Sequence, residues 1–244
     1  MTENRPDASR RSALVCLPTY NEKDNVVPMV EAILAATPDV DVLVIDDNSP
    51  DGTGKLADEI AAREPRVKVL HRAGKEGLGK AYLAGFDWAL RAGYELVLEM
   101  DADFSHDPKY LPGMLAASRE ADLVLGSRAV PGGGTVNWGV LRKIISRGGS
   151  LYARTILGIG VRDLTGGFKC FHRRVLEAID LPTVECSGYA FQIELTYRTL
   201  RRGFRVKEIP IVFVDRRVGQ SKMSKRIVLE ALRKVWSIRR SNFR

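Results

Sequence analysis

Two aspartates one residue apart, Asp101 and Asp103, follow the apolar run Leu96–Met100. Side chains alternate along a strand, so on an extended chain these two carboxylates point the same way. Paired carboxylates at a strand end offer hard oxygen ligands to Mg2+ or Mn2+, and such a metal takes its other ligands from water and substrate phosphates. The same residues also suit capping or plain solvation, and Asp-x-Asp alone is a weak signal. Its setting favours a metal site, because two more polar clusters end apolar runs: Pro18-Thr19-Tyr20-Asn21-Glu22 and Asp46-Asp47-Asn48-Ser49. Asp51 and Thr53 read as helix caps. Capping does not account for two adjacent acids at a strand tip, where an aspartate can accept hydrogen bonds from a base or ribose.

Two further segments suggest phosphate. Gly74-Lys75-Glu76-Gly77-Leu78-Gly79-Lys80-Ala81 falls one residue short of the phosphate-binding pattern G-x-x-x-x-G-K-[ST], because Ala81 has no hydroxyl. It reads as a glycine-rich turn near a phosphate, with a nucleoside-triphosphate hydrolase or kinase as the alternative. In Asp215–Lys222, Arg216 and Lys222 flank Gly219 and could clamp phosphate oxygens; the alternative is an ordinary basic loop. Ser105 stands where a D-x-D-x-[TV] phosphatase needs Thr or Val. No G-x-G-x-x-G follows the first apolar run, which removes support for a nicotinamide-dependent dehydrogenase.

Positioning these residues requires a sheet. Apolar runs at Ala13–Leu17, Val40–Ile45, Val67–His71, Leu96–Met100 and Leu123–Gly126 read as strands. Between them lie helical patterns: one carrying Val26, Val27, Val30, Ile33 and Leu34 with Asn25 as its cap and Pro28 in its first turn, then Thr53–Arg63, then one with Leu78, Ala81, Tyr82, Gly85 and Ala89 on one face. Apolar strands alternating with amphipathic helices predict an α/β fold, a mostly parallel sheet covered on both faces that binds ligand beyond the strands' carboxyl ends. Further on, Pro131–Gly134 reads as a loop, Gly139–Leu157, Tyr189–Arg202 and Lys225–Ile238 as helices, and Phe168–Phe171 and Ile209–Val214 as strands. With no repeat or linker, residues 12–244 are expected to form a single domain behind a disordered leader, residues 1–11.

At 244 residues, 45% hydrophobic and 28% charged, the chain is globular in composition. No run approaches the roughly 18 apolar residues of a membrane span, and no secretory h-region is visible, so a cytoplasmic protein is expected. Three cysteines without C-x-x-C spacing read as free thiols, and three scattered histidines argue against zinc. Residues 198–244 hold 15 Lys and Arg against 3 Asp and Glu, a charge of +12 that leaves −4 for the remainder of the +8 chain. That asymmetry suggests an anionic partner such as phosphate or an acidic membrane surface; no nucleic acid is expected, since no recognised binding motif accompanies the charge.

Taken together and in order, Pro18–Glu22, Ile45–Thr53, Asp101–His106, Asp163-Leu164-Thr165-Gly166-Gly167-Phe168 and Phe213–Lys222 resemble the dolichol-phosphate (polyprenol-phosphate) mannosyltransferases. These are inverting family-2 glycosyltransferases of GT-A fold, a Rossmann-like nucleotide-sugar-binding fold, and the likeness runs from about residue 13 to residue 222. The resemblance implies transfer of mannose from GDP-mannose to a polyprenyl (dolichyl-type) monophosphate. It implies that Pro18, Tyr20, Glu22, Ile45 and Asp47 hold the nucleoside, and that Asp101 and Asp103 bind the metal with Ala102 contributing through its backbone. It further implies that Arg128, Arg216 and Lys222 engage donor or acceptor phosphates, Arg216 in a catalytic role. Some members carry Gln where Ser105 stands, which leaves a third metal ligand open. Some append transmembrane helices; here a peripheral enzyme at the cytoplasmic face is implied, with lipid contact or a membrane-protein partner. A related transferase using UDP-glucose and a non-catalytic nucleotide-binding subunit are the alternatives. The basic helix 225–238 either lies on an anionic membrane or packs back on the domain.

Overall fold

A computed structural model describes residues 11–184, 186, 188–215 and 225–241. The strands are β1 (Arg11–Thr19), β2 (Val40–Asp46), β3 (Val67–His71), β4 (Tyr94–Glu99), β5 (Leu123–Ser127), β6 (Gly134–Val136), β7 (Lys169–His172), β8 (Val206–Pro210) and β9 (Val212–Val214). The helices are α1 (Lys23–Ala36), α2 (Thr53–Arg63), α3 (Leu78–Arg91), α4 (Leu111–Ala117), α5 (Val140–Leu157), α6 (Arg173–Ala178), α7 (Gly188–Arg201) and α8 (Lys225–Arg240). Seven strands form the main sheet in the order β3-β2-β1-β4-β7-β5-β8, and β6 pairs with β9 in a small parallel ribbon.

Alternation along β1 explains why the sheet is covered twice. Leu14 and Cys16 pack with α3, α7 and the buried side of α5, while Ala13, Val15 and Leu17 pack with α1, α2 and α4. Helix α3 lies especially close to the sheet. A Cβ on Gly85 would sit 2.5 Å from Ile45 Cδ1 and 3.1 Å from Cys16 Sγ, so a larger residue there would have to displace those side chains. The close approach brings Tyr82, wholly buried, over the carboxyl end of β4.

The predicted α/β architecture holds, with particular departures. β7 runs antiparallel between β4 and β5, so the sheet is mixed. The expected strand Ile209–Val214 is two strands in two sheets. Pro210 ends β8 without a backbone donor, and the chain changes partner at Ile211. Helix α1 begins at Lys23 after Glu22, so Asn25 is not its cap and Pro28 is interior rather than in the first turn. Leu78, expected on the buried face of α3, is its first residue and is exposed. Arg11, assigned to the leader, opens β1 opposite Tyr94; the rest of the leader lies outside the described residues. Helix α8 packs back on the protein through buried Val235 and Ile238, and Arg239 Nη1 donates to the Leu157 carbonyl at the end of α5.

Candidate active site

Because β2, β1 and β4 are adjacent and parallel, the three polar clusters emerge side by side. The chain runs from β1 outward to β2 and β3, then returns to place β4 on the other side of β1. That reversal is where open α/β sheets bind ligands.

Beyond Glu99 the chain is not extended, so strand alternation is not what displays Asp101 and Asp103. Residues 102–106 form a bend with Phe104 at φ 60°. A left-handed non-glycine residue costs on the order of 1–3 kcal/mol, and local contacts hold it. Asp103 Oδ1 accepts the Ser105 amide at 3.1 Å and the Ser105 hydroxyl. The Asp101 amide donates to His106 Nδ1 at 3.1 Å, and the Tyr82 hydroxyl donates to Asp101 Oδ1 at 3.2 Å. Burial pushes the His106 imidazole down to about 4, so it is neutral and its Nδ1 can accept. Burial also pushes the Tyr82 hydroxyl well above its ordinary value, which keeps it a donor. Among the described residues no three His, Cys, Asp or Glu side chains cluster as a metal cage. Two carboxylates at a loop fit a hard divalent cation that completes its shell from bound phosphate. The Ser105 hydroxyl donates to Asp103, and Ala102 is buried.

The other two clusters interlock. The amides of Asn21, Glu22 and Lys23 donate in turn to Ser49 Oγ (3.1 Å), Thr53 Oγ1 (3.0 Å) and Asp51 Oδ2 (3.1 Å), which caps α1 from a neighbouring loop. Asp46 has a structural task. It accepts from the Ser49 amide and hydroxyl and from Thr19 Oγ1. Asp47 pairs with Arg72, which also reaches Glu76. Burial pushes the Asp47 carboxyl up, and Arg72 only partly offsets it. Lys75 Nζ lies 3.9 Å from the centre of the Tyr20 ring. The glycine-rich turn therefore places Lys75 over Tyr20 and Glu76 on Arg72, the partner of Asp47. Pro18, Tyr20, Glu22 and Asp47 line up along this edge, with Pro18 in register with Ile45. The Ile45 side chain does not join them, being wholly buried against Gly85.

Directly behind Asp101 sit two buried ionisable side chains that sequence reasoning missed, and the oxygens of one of them, Glu99, have no hydrogen-bond partner among the described residues. Glu99 and Lys169 face each other across β4 and β7, both wholly buried. Lys169 Nζ donates to the Gln192 carbonyl at 2.8 Å and to Gln192 Oε1. Burial pushes Glu99 up to about 7 and Lys169 down to about 8.

On the other side of the aspartates lies a basic pocket of about 480 Å³, lined in part by Arg128, Trp138, Lys143, Arg147, Arg154 and Asp163. Arg128 is held by Asp163 through Nε and Nη2, both at 2.7 Å, and donates to Thr165 Oγ1 at 2.9 Å. The buried Trp138 Nε1 has no hydrogen-bond partner among the described residues. An aromatic bridge joins pocket to aspartates: His106 packs edge-on to Phe213 at 5.3 Å, and Phe213 edge-on to Trp138 at 5.4 Å. The Arg128 guanidinium lies over both latter rings, and Arg142, 4.0 Å from Trp138, pairs with Asp215 at 2.7 Å. Arg216 and Lys222, expected at the phosphates, lie outside the described residues. Arg72, Tyr82, His106 and Trp138 are the site residues missed from sequence; for His106 the signal was present in Asp101–His106.

Comparison with known proteins follows the same lines. The model of glycosyl transferase family 2 matches residues 14–180. An undecaprenyl-phosphate mannosyltransferase of Micrococcus luteus is 52% identical over 219 residues, covering 90% of this chain and 90% of its own. A polyprenol monophosphomannose synthase of Mycolicibacterium smegmatis is 51% identical over 230 residues, covering 93% and 87%. Among solved structures, glucosyl-3-phosphoglycerate synthase from Mycobacterium tuberculosis with Mn2+, UDP and phosphoglyceric acid superposes with a TM-score of 0.69 at 18% identity, covering 94% of this chain and 79% of that one. A mannosyltransferase from Pyrobaculum calidifontis in complex with GDP-Man and Mn2+ gives 0.56 at 18% identity, covering 87% and 59%. These structures share the GT-A arrangement of a mostly parallel sheet flanked by helices.

Proposed function

The chain belongs to glycosyl transferase family 2, and on that premise we propose that it transfers mannose from GDP-mannose to a polyprenyl monophosphate, with inversion at the anomeric carbon. One observation carries this reading: a carboxylate pair and a cationic pocket stand on either side of one aromatic bridge. A donor diphosphate paired with metal suits the first, and a second phosphate suits the other. The mannosyltransferase relatives support the sugar and the lipid acceptor.

Asp101 and Asp103 would hold a divalent cation, Mg2+ or Mn2+, which when bound neutralises charge on the departing diphosphate. Tyr82 orients Asp101, and neutral His106 fixes the loop without adding charge. Tyr20 and Asp47, backed by Lys75 and Arg72, face the nucleoside, with Pro18 and Glu22 alongside. Arg128 with Lys143, Arg147 and Arg154 of α5 receives the acceptor phosphate; Arg216 and Lys222 are proposed to complete the phosphate contacts. A phosphate oxygen bonds to the anomeric carbon as the bond from that carbon to GDP breaks. With a second pKa of about 6 the acceptor is largely ionised at neutral pH, so no side chain has to remove a proton. Catalysis rests on positioning and electrostatic stabilisation. No described helix is long and apolar enough to cross a membrane. The enzyme is proposed to meet its lipid peripherally, at the cytoplasmic face.

The test is incubation with labelled GDP-mannose or UDP-glucose plus polyprenyl phosphate, with and without Mn2+. Lipid-linked label is expected from GDP-mannose with metal, and none from Asp101→Ala or Asp103→Ala. Product from UDP-glucose alone would overturn the donor, and no lipid product from either would leave a nucleotide-binding subunit without catalysis.

A further inference from the structure

Helix α5 turns an apolar stripe outward. Val140, Ile144 and Leu151 are 74, 62 and 60% exposed, and Val136 just before the helix is 43% exposed. These are four of the six large apolar side chains exposed among the described residues. At about 100° per residue, positions 140, 144 and 151 fall within roughly 40° of one another on the helix. The opposite face is buried through Ser150, Ala153 and Leu157, so the stripe is not a misplaced core. Exposed apolar side chains lined up on one helix face, with Arg147 among them, mark a contact surface.

Charge identifies the partner. The helix carries Lys143, Arg147 and Arg154 and no Asp or Glu, while its fourth cation, Arg142, turns inward to Asp215. Two copies meeting through this face would bring cations against cations. An anionic lipid surface would neutralise them. The stripe is also continuous with the basic pocket: Leu151 belongs to both, and Lys143, Arg147 and Arg154 form the pocket wall beside it.

We propose that α5 lies flat at the headgroup–acyl boundary of an anionic bilayer, with Val140, Ile144 and Leu151 inserted. The basic pocket then opens onto the lipid surface, where a polyprenyl phosphate enters headgroup first while its chain stays in the bilayer. That last clause rests on the acceptor assigned above; the docking face does not. Helix α8, the basic helix favoured by composition, already spends Val235 and Ile238 on the interior and Arg239 on the end of α5.

The test compares wild type, Val140→Glu/Ile144→Glu and Trp236→Glu in sedimentation with phosphatidylcholine vesicles with and without phosphatidylglycerol. Wild type and Trp236→Glu should bind the anionic vesicles. The α5 variant should lose on the order of tenfold in binding with unchanged far-ultraviolet circular dichroism. It should still use a short-chain, water-soluble polyprenyl phosphate at the wild-type rate while losing transfer to a long-chain acceptor held in vesicles. Unchanged vesicle binding by the α5 variant overturns the proposal, as does loss only in Trp236→Glu. A wild-type dimer that the α5 variant dissociates, with vesicle binding intact, would make the stripe a self-association face instead. If wild type binds vesicles through α5 but transfers to neither acceptor, the docking face stands and the acceptor assignment falls.

Discussion

Tyr82 reaches Asp101 from a helix that the sequence marks only as amphipathic. Its hydroxyl is the donor that fixes one carboxylate oxygen. Tyr82→Phe keeps the ring, so the expected effect is about a tenfold weaker Mn2+ affinity in the presence of GDP, read by electron paramagnetic resonance; an unchanged affinity would remove its positioning role. Asp163 supports the other half of the site. Burial pushes its carboxyl up, but the charge and hydrogen bonds of Arg128 more than offset this, so its net value is lowered. Asp163→Asn would strand a buried guanidinium and is expected to cost about 3–5 kcal/mol, measured by urea unfolding at neutral pH. Since the folded carboxyl titrates below its ordinary value of about 4, the pair's contribution is fully present above that pH. It fades as pH falls through the lowered folded value. The wild-type and Asp163→Asn midpoints should therefore converge in acid; a gap that persists would refute the pairing. Asp101 and Asp103 were legible because acids after an apolar run are a local pattern, whereas Arg128 entered only through the family resemblance. Arg72, Tyr82 and Trp138 were not, because each enters the site through a contact distant in sequence.

Strand pairing decides what lies behind these residues. Phe168–Phe171 reads as a strand from composition, but a short apolar run carries no direction. Only the antiparallel insertion of β7 brings Lys169 opposite Glu99. Lys169 is hydrogen-bonded to Gln192 and acts on Glu99 through the field of its charge. Lys169→Met, which leaves the buried Gln192 carbonyl without that donor, is expected to destabilise by about 1–3 kcal/mol, and adding Glu99→Met should recover part of that loss. Chemical denaturation of the two single variants and the double variant gives the coupling, and additive losses would show that the pair does not interact. The division of Ile209–Val214 between β8 and β9 has a comparable origin. Its apolar run is continuous, and the change of partner falls at Ile211, whose amide donates to the Ser127 carbonyl of β5 while its carbonyl accepts from the Gly134 amide of β6.

Across the molecule, a charge of +12 in residues 198–244 opposes −4 in the remainder. The alternation of strands and helices made the sheet and its ligand-binding edge readable. The inserted antiparallel strand and the α5 stripe were not, because both depend on which elements become neighbours. Screening lengths shrink from about 10 Å at 0.1 M salt to about 3 Å at 1 M. The acceptor KM in anionic vesicles should therefore rise several-fold over that range, while the donor KM, held partly through a metal at short distance, rises less. Equal rises in steady-state kinetics would argue against a separate cationic acceptor pocket. The side-chain latch over the amides of Asn21, Glu22 and Lys23 has a consequence for assembly. Helix α1 is capped by groups some thirty residues downstream, so it has no autonomous start signal. A fragment ending before Ser49 would leave those amides bare, and a circular permutant opened between Pro50 and Asp51 would unfasten the first two βα units together. The two units are therefore expected to open together in amide hydrogen exchange, and separate protection of α1 and α2 would argue against the latch.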